Sequence, residues 1–200
     1  MKDKLYEEID RRITTGQKVN VLIAGMTCSG KSTLAREIQE HYVFGKHPKQ
    51  VSIISQDCYF KNLGLIPRNK GGYLMDSLYA FHADEYRAHA QYLTQHGTVR
   101  VPQYDIARNK RTAEYTKIEN GDINIFEGLH SIRILSGLWH NVKVYLDTDV
   151  ETCLERRIAR DTSLYDVPEE RIREYWAECI MPLSREFIFP QKEMADWIIS

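Results

Sequence analysis

The chain has 200 residues, of which 42% are hydrophobic and 28% are charged, and its formal net charge is −1. That length suits one domain with a core of its own, spanning 1–200, and the balanced charge gives no bulk electrostatic reason to expect nucleic acid or a membrane surface as a partner. The N-terminus lacks an apolar leader, no apolar run is long enough to span a membrane, and the four cysteines form no C-x-x-C pair. We therefore expect a cytoplasmic protein with reduced thiols.

The first quarter of the chain predicts a helix, a strand, a second helix and a second strand. Apolar residues four apart predict a helix over 2–15, with Gly16 as its stop. The apolar run 19–24 predicts a buried strand, and the helix that follows extends to about Tyr42. A second apolar run, 51–55, predicts the next strand.

The middle of the chain predicts a long loop, a helix and a hairpin. Residues 60–75 are rich in glycine and basic side chains, and a loop of that length is usually functional or mobile. A helix is expected over 82–96. Short strands at 99–102 and 114–118 can pair as a hairpin, and Asn120-Gly121 is a strong turn signal.

The last third returns to alternating strands and helices. Strands are expected at 123–126, 142–146 and 195–199, and helices at 151–160 and from Pro168 to about Ile180, where Met181-Pro182 would stop or kink the chain. Apolar strands that alternate with helices predict an α/β fold with a mainly parallel sheet, helices on both faces, and a small β-hairpin subregion.

A phosphate-binding motif lies between the first strand and its helix. Gly25, Gly30, Lys31 and Ser32 fit the pattern G-x-x-x-x-G-K-[ST] in the strand–loop–helix context that it requires. Successive N–H groups and the helix N-terminus would cradle phosphates, with Lys31 on the β- and γ-phosphates and Ser32 on Mg²⁺. The predicted nucleotide-binding residues are Gly25, Met26, Thr27, Cys28, Ser29, Gly30, Lys31, Ser32 and Thr33.

Two carboxylates follow predicted strands. Asp57 comes just after the second strand, and Glu127 ends the third. Ligands of parallel sheets bind at the carboxyl ends of the strands, so both side chains can approach the phosphates. Polar residues there can also simply begin a loop, but beside a phosphate-binding motif we favour a role for each. We assign Glu127 to a Mg²⁺ ion, and Asp57 to the acceptor hydroxyl with a share in the metal.

A basic cluster, Arg156, Arg157 and Arg160, follows the fourth strand. It can act as a lid that places cations over the transferred phosphate, or it can be a solvated helix end whose cations oppose the dipole. The sequence leaves both readings open, and within the cluster we favour Arg160 as the catalytic cation.

Together these residues resemble the uridine kinase and phosphoribulokinase family of P-loop kinases, and most closely its uridine–cytidine kinases. The resemblance covers nearly the whole chain. The matching stretches are 25–33, Ser55-Gln56-Asp57-Cys58-Tyr59, Pro102-Gln103-Tyr104-Asp105, Phe126-Glu127-Gly128, Leu146-Asp147-Thr148-Asp149, Arg156-Arg157 with Arg160-Asp161, and Pro190 and Lys192 with Ala195-Asp196.

The resemblance implies that ATP or GTP, with Mg²⁺, phosphorylates the 5′-hydroxyl of a nucleoside, with uridine or cytidine as the first candidates. Asp57 matches the catalytic base of the family, and Ser32 and Glu127 match its metal positions. Asp76 falls on a ribose-contacting position, and Tyr104 on a residue that packs against the base. The resemblance also implies a homo-oligomer.

The chain departs from the family pattern where the acceptor is recognised. The family has a base-reading histidine where this chain has Asn109, which can still donate to and accept from a pyrimidine edge. The Glu-Arg-Gly-Arg of the family lid is replaced by residues 164–167, which contain no arginine. A kinase of another hydroxylated metabolite, or a nucleotide-binding regulatory module with little catalysis, therefore stays open as an alternative.

Overall fold

The computed structural model describes residues 2–139 and 142–200. Its centre is a sheet of five parallel strands, which confirms the predicted mainly parallel sheet. The sheet strands are β1 (Val19–Gly25), β2 (Val51–Ser55), β7 (Ile123–Glu127), β8 (Val142–Leu146) and β9 (Trp197–Ile199). Their order across the sheet is β2-β7-β1-β8-β9.

Helices cover both faces of this sheet because alternate side chains of each strand point in opposite directions. The α-helices are α1 (Lys2–Thr14), α2 (Lys31–Val43), α3 (Ala83–His96), α4 (Ser131–Leu135), α5 (Val150–Tyr165), α6 (Glu169–Tyr175) and α7 (Met181–Leu183). On β1, Val21 and Ile23 pack in one core with α1 and α2, whereas Leu22 and Ala24 pack in the other with α3 and α4. Among the described residues, no helix has the length and apolar character needed to cross a membrane.

Two hairpins stand apart from the main sheet. The predicted loop 60–75 contains a 3₁₀ turn at Leu63–Leu65 and a small antiparallel pair, β3 (Arg68–Asn69) and β4 (Gly72–Tyr73). The predicted hairpin is longer than expected, with β5 (Thr98–Asp105) paired to β6 (Lys110–Glu119). It turns at 106–109, and Asn120-Gly121 lies in the connection from β6 to β7.

The C-terminal helices differ most from the prediction. Helix α5 continues past the expected end at Arg160 and stops at Asp166, which adopts a left-handed conformation with φ 53°. The helix that begins at Glu169 does not stop at Met181-Pro182, because π-helical turns at Trp176–Ile180 and Ser184–Ile188 flank these two residues. Proline has no N–H to donate, and the shifted hydrogen bonding of these turns lets the chain continue past it.

Candidate active site

The loop between β1 and α2 has the backbone geometry of a phosphate cradle. Gly25 has φ 149°, and a Cβ there would lie 2.7 Å from the main-chain oxygen of Leu146. Gly30 has φ 99° and caps the N-terminus of α2. Both positions require glycine, because their φ values are ones that other residues rarely adopt. The loop residues from Thr27 to Gly30 and the first turn of α2 line the cavity together, as a phosphate-binding helix N-terminus requires.

Two buried polar side chains of this loop, Lys31 and Ser29, are placed to meet a phosphate in the cavity. The Lys31 ammonium is buried and donates to the main-chain oxygen of Met26 over 2.8 Å. The Ser29 hydroxyl is buried and has no hydrogen-bond partner within the described part of the chain. An unpaired buried hydroxyl beside a lysine and a helix N-terminus fits a bound anion.

Thr148, which follows β8, and Arg157 of α5 both make hydrogen bonds to the phosphate-binding loop. Thr148 Oγ1 donates to the main-chain oxygen of Ser29 over 2.9 Å, and Arg157 Nη1 donates to Thr27 Oγ1 over 3.1 Å. Arg157 of the basic cluster therefore contacts the phosphate-binding loop, and the cluster does not lie at a helix end, because α5 continues to Tyr165.

The strand register brings the two carboxylates to the loop. Glu127 on β7 is aligned with Ser55 of β2 on one side and with Ile23 of β1 on the other. Asp57 lies two residues beyond Ser55, and Gly25 lies two residues beyond Ile23. Parallel pairing therefore places Asp57, Glu127 and the start of the phosphate-binding loop at one edge of the sheet.

Asp57 and Glu127 interact through their charges. Solvent in the cavity reaches the Asp57 side chain, whereas Glu127 is buried. Burial within the cleft, followed by the Glu127 carboxylate, raises the pKa of Asp57 to about 6 against the opposing effect of Lys31. A carboxylate with a raised pKa is a stronger base, which suits proton transfer from an alcohol.

The donor set suits Mg²⁺. Within residues 2–139 and 142–200, no group of three or more His, Cys, Asp and Glu side chains is arranged to hold a metal ion without help. Ser32, Glu127 and Asp57 offer a hydroxyl and two carboxylates next to the phosphate cradle. Mg²⁺ is typically held by one or two carboxylates together with phosphate oxygens and waters, so these residues fit the ion.

Asp76 lines the same cavity as the phosphate-binding loop. It is 4% exposed, and its Oδ2 atom has no hydrogen-bond partner among the described residues. Burial raises the pKa of Asp76, and the Arg157 guanidinium is the largest of the charges that oppose this. An unpaired buried carboxylate on a cavity wall is a ready acceptor for hydroxyl groups of a ligand.

Tyr104 and Asn109 reach the same cavity from the β5–β6 hairpin. Tyr104 donates from its hydroxyl to the main-chain oxygen of Lys61 over 3.3 Å, and its ring lies 5.4 Å from that of Phe60. Asn109 has φ 49°, and its main-chain oxygen accepts from the Leu63 N–H over 3.0 Å. These contacts fix the hairpin tip against the loop that leads to Asp76.

One cavity of about 1160 Å³ connects all of these groups. It extends from the phosphate-binding loop, past Asp57 and Glu127, to Asp76 and the hairpin tip, and the basic cluster of α5 lines it as well. A nucleotide and a second ligand of similar size fit a cavity of this volume.

Comparison with known proteins agrees with this geometry. The sequence pattern of the Phosphoribulokinase / Uridine kinase family matches residues 21–200. The chain belongs to this family. It is therefore a phosphotransferase with an alcohol as acceptor.

Several relatives cover most of this kinase. A uridine kinase of Brevibacillus brevis is 31% identical over 188 residues, which cover 92% of this chain and 85% of that protein. A uridine kinase of Vibrio cholerae is 32% identical, with 92% and 87% covered. Uridine-cytidine kinase 2-B of Danio rerio is 30% identical, with 88% and 70% covered.

Solved structures share the fold at lower identity. The YFH7 protein of Saccharomyces cerevisiae has a TM-score of 0.71 at 14% identity, with 98% of this chain and 97% of that chain covered. A possible uridine kinase from Bacillus stearothermophilus has a TM-score of 0.59 at 14% identity, with 98% and 100% covered.

Some residues of the kinase site were not predicted. Phe60 lines the cavity and stacks on Phe81, with ring centroids 4.2 Å apart. Buried Gln56 and Gln191 hold the loop after Glu127, through the His130 N–H and the Leu129 carbonyl respectively. Gln56 stands within the recognised Ser-Gln-Asp motif, whereas nothing in the local sequence marks Phe60 or Gln191.

Proposed function

We propose that this kinase transfers the γ-phosphoryl group of ATP or GTP to the 5′-hydroxyl of a nucleoside in the cytoplasm, with uridine and cytidine as the first candidates. One observation carries the proposal: a single cavity joins the phosphate cradle to Asp76 and Tyr104, with Asp57 at the junction. The names of the relatives support the same acceptor class.

In this proposal the loop residues bind and orient the nucleotide. Lys31 exchanges its contact with the Met26 carbonyl for the β- and γ-phosphates, and Ser29 gains a partner for its buried hydroxyl. Ser32 and Glu127 hold Mg²⁺, which when bound withdraws negative charge from the phosphate oxygens. The cations of α5 add positive charge where the transferred group passes.

Asp57 acts on the acceptor. The carboxylate accepts the proton of the attacking hydroxyl, and its raised pKa keeps it basic while leaving it mostly ionised at neutral pH. A nucleotide-binding switch would have no need of a carboxylate at this junction, so Asp57 favours the kinase over a regulatory module.

The distribution of charge in the cavity favours an uncharged acceptor. The basic side chains that line it among the described residues come from α1, α2 and α5, namely Lys2, Lys31, Arg36, Arg156, Arg157 and Arg160. Asp76, the rings of Phe60 and Tyr104 and the amide of Asn109 line it as well. The buried Asp76 carboxylate would repel a phosphate group bound against it, so a neutral polyhydroxylated compound fits better than a sugar phosphate.

The part of the cavity lined by Phe60, Asp76, Tyr104 and Asn109 also suits a planar ring joined to a sugar. Tyr104 and Phe60 offer aromatic faces, and Asp76 accepts hydrogen bonds from vicinal hydroxyls. Asn109 offers both a donor and an acceptor at the hairpin tip. The amide of Asn109 places its hydrogen-bonding atoms differently from the imidazole of the base-reading histidine in the family. We therefore expect weak uridine activity or a shifted base preference. A kinase for another neutral hydroxylated metabolite is the second candidate, and Asn109 is the residue that favours it.

The experiment is an ADP-release assay with MgATP and MgGTP against uridine, cytidine, other nucleosides and neutral sugars. We expect one nucleoside to stimulate ADP release strongly, and the Lys31→Ala variant provides the blank. Stimulation by a sugar alone would move the conclusion to the second candidate. No stimulation by any hydroxylated compound would contradict both.

A further inference from the structure

The carboxylate of Asp161 lies between two arginines of the basic cluster. Its Oδ2 atom accepts from Arg157 Nε over 2.5 Å, and its Oδ1 atom accepts from Arg160 Nε over 2.7 Å. Asp161 is 7% exposed and lines the active-site cavity. Each carboxylate oxygen thus holds one guanidinium group, which is a charge-assisted arrangement that fixes direction as well as distance.

The two arginines held in this way have different positions. Arg157 is largely buried and reaches Thr27 of the phosphate-binding loop through Nη1. The Arg160 side chain is 42% exposed and faces the open cavity. Two neighbouring guanidinium groups repel each other, and the shared carboxylate offsets that repulsion.

A second carboxylate attracts Arg157. Arg157 and Asp76 line the same cavity, and the charges of Asp76 and then Asp161 outweigh burial and raise the pKa of Arg157 above its usual value. The Oδ2 atom of Asp76 has no hydrogen-bond partner within the described part of the chain. An Arg157 side chain released from Asp161 could therefore turn to that oxygen and leave the loop.

The side chain of Asp161 is not needed to end its helix. The main-chain oxygen of Asp161 accepts the N–H groups of Asp166 and Val167, and these bonds close α5. Among the residues that the structure describes, the Asp161 carboxylate accepts hydrogen bonds from the two arginines alone, which separates its role from that of a helix cap.

We propose that Asp161 is a positioning residue that holds Arg157 and Arg160 on the phosphate side of the cavity and so keeps Asp76 free for the acceptor. The inference rests on phosphoryl transfer by this site, but not on which alcohol accepts the group.

The test is a double-mutant cycle between Asp161→Asn and Arg157→Ala. In the wild-type background we expect Asp161→Asn to lower kcat about tenfold or more and to raise the acceptor KM about tenfold, while the affinity for MgADP changes little. In the Arg157→Ala background, Asp76 has lost its competitor, so the same substitution should leave the acceptor KM within about twofold. The control is Asp166→Asn, an exposed position of the same helix end that accommodates a left-handed asparagine.

Equal effects of Asp161→Asn in both backgrounds, or no effect in either, would overturn the inference. If Asp161→Asn does not fold, Asp161→Glu shifts the carboxylate by one methylene and enters the same cycle with the same expectations. If no alcohol is phosphorylated, the proposed function fails, and the cycle is measured on the rate of MgATP hydrolysis to water. When both arginines are present, Asp161→Asn should slow hydrolysis about tenfold. When Arg157 and Arg160 are both replaced by alanine, the same substitution should change the rate by no more than about twofold.

Discussion

The Nε2 atom of His130 lies 2.9 Å from the main-chain oxygen of Asp76. A carbonyl oxygen only accepts, so Nε2 carries the proton and Nδ1, which has no partner among the described residues, does not. The ring is fully buried and meets Phe81 edge-on, with centroids 5.6 Å apart. This hydrogen bond connects the loop that follows Glu127 to the backbone of Asp76, and so helps to fix the distance between the two carboxylates.

The first prediction concerns stability and pH. Burial lowers the pKa of His130 to about 3, whereas a histidine in an unfolded chain has a pKa of about 6.5. Below pH 6.5 the unfolded chain therefore binds a proton that the folded chain does not, and the free energy of unfolding falls as the pH is lowered towards 3. We expect His130→Gln to lower stability at pH 7 by about 1–2 kcal/mol and to flatten its decline between pH 6.5 and 4.5.

Urea unfolding at a series of pH values measures both effects. His47→Gln, at an exposed position, is the matched control and should leave the pH dependence as it is in the wild type. Parallel curves for the wild type and His130→Gln would show that His130 is not the group that titrates.

Local sequence patterns predicted much of the fold and part of the site. The strands β1, β2, β7 and β8 were readable because each is a short apolar run, and the phosphate-binding loop was readable because its glycines and Lys31 are close in sequence. Asp57 and Glu127 were placed correctly at strand ends, since parallel pairing brings those ends together. Their assigned roles stay predictions.

Other features depend on packing between distant segments, which no local pattern encodes. The link from His130 to Asp76 spans 54 positions, and the hydrogen bond from Arg157 to Thr27 spans 130. The sequence favoured Arg160 within the basic cluster, but it did not show that Arg157 reaches the loop. At Met181-Pro182 the sequence left a stop or a kink open, and the helix does not stop there, because tertiary packing outweighed the local tendency of proline to end a helix.

The second prediction is that Lys31→Ala abolishes detectable phosphoryl transfer without unfolding the protein. The substitution removes the ammonium group that we place on the β- and γ-phosphates, and the loss of one preorganised donor costs about 10²–10³ in rate. Turnover and thermal unfolding are measured together, with exposed Lys46→Ala as the control. A variant with near wild-type turnover would contradict the assignment of the loop.

The third prediction is that Asp57→Asn lowers kcat by about 10²–10⁴, the range for a positioned general base, while nucleotide affinity changes much less. Since the pKa of Asp57 is raised to about 6, the base is protonated and inactive below that value. The wild-type kcat/KM should therefore fall about tenfold per pH unit below pH 6 at low Mg²⁺. Loss of nucleotide affinity with unchanged kcat would mean that Asp57 serves the nucleotide or its metal and not the acceptor.

The fourth prediction concerns Glu127→Gln. An amide is a poorer ligand for Mg²⁺ than a carboxylate, so the Mg²⁺ concentration needed for half-maximal activity should rise about tenfold. The same substitution removes the charge that helps to raise the pKa of Asp57, so the acid limb of the pH profile should move to lower pH. A titration with Mg²⁺ at two pH values measures both. An unchanged Mg²⁺ requirement would remove Glu127 from the metal site.

The fifth prediction tests the acceptor. We place the unpaired, buried Oδ2 atom of Asp76 against the vicinal hydroxyls of a ribose. A buried charge-assisted hydrogen bond discriminates strongly against an analogue that lacks the hydroxyl, so the wild type should prefer a ribonucleoside over its 2′-deoxy counterpart.

Asp76→Ala should reduce that preference by about tenfold or more while changing the KM for MgATP little, because the phosphate-binding loop is untouched. The measurement is kcat/KM for both sugars in the wild type and the variant. Asp76→Asn is the companion variant, since it keeps the shape of the side chain without its charge and should lose most of the preference as well. A wild type without a ribose preference would remove Asp76 from the sugar. Equal losses for acceptor and MgATP in Asp76→Ala would instead indicate that Asp76 supports the whole cavity.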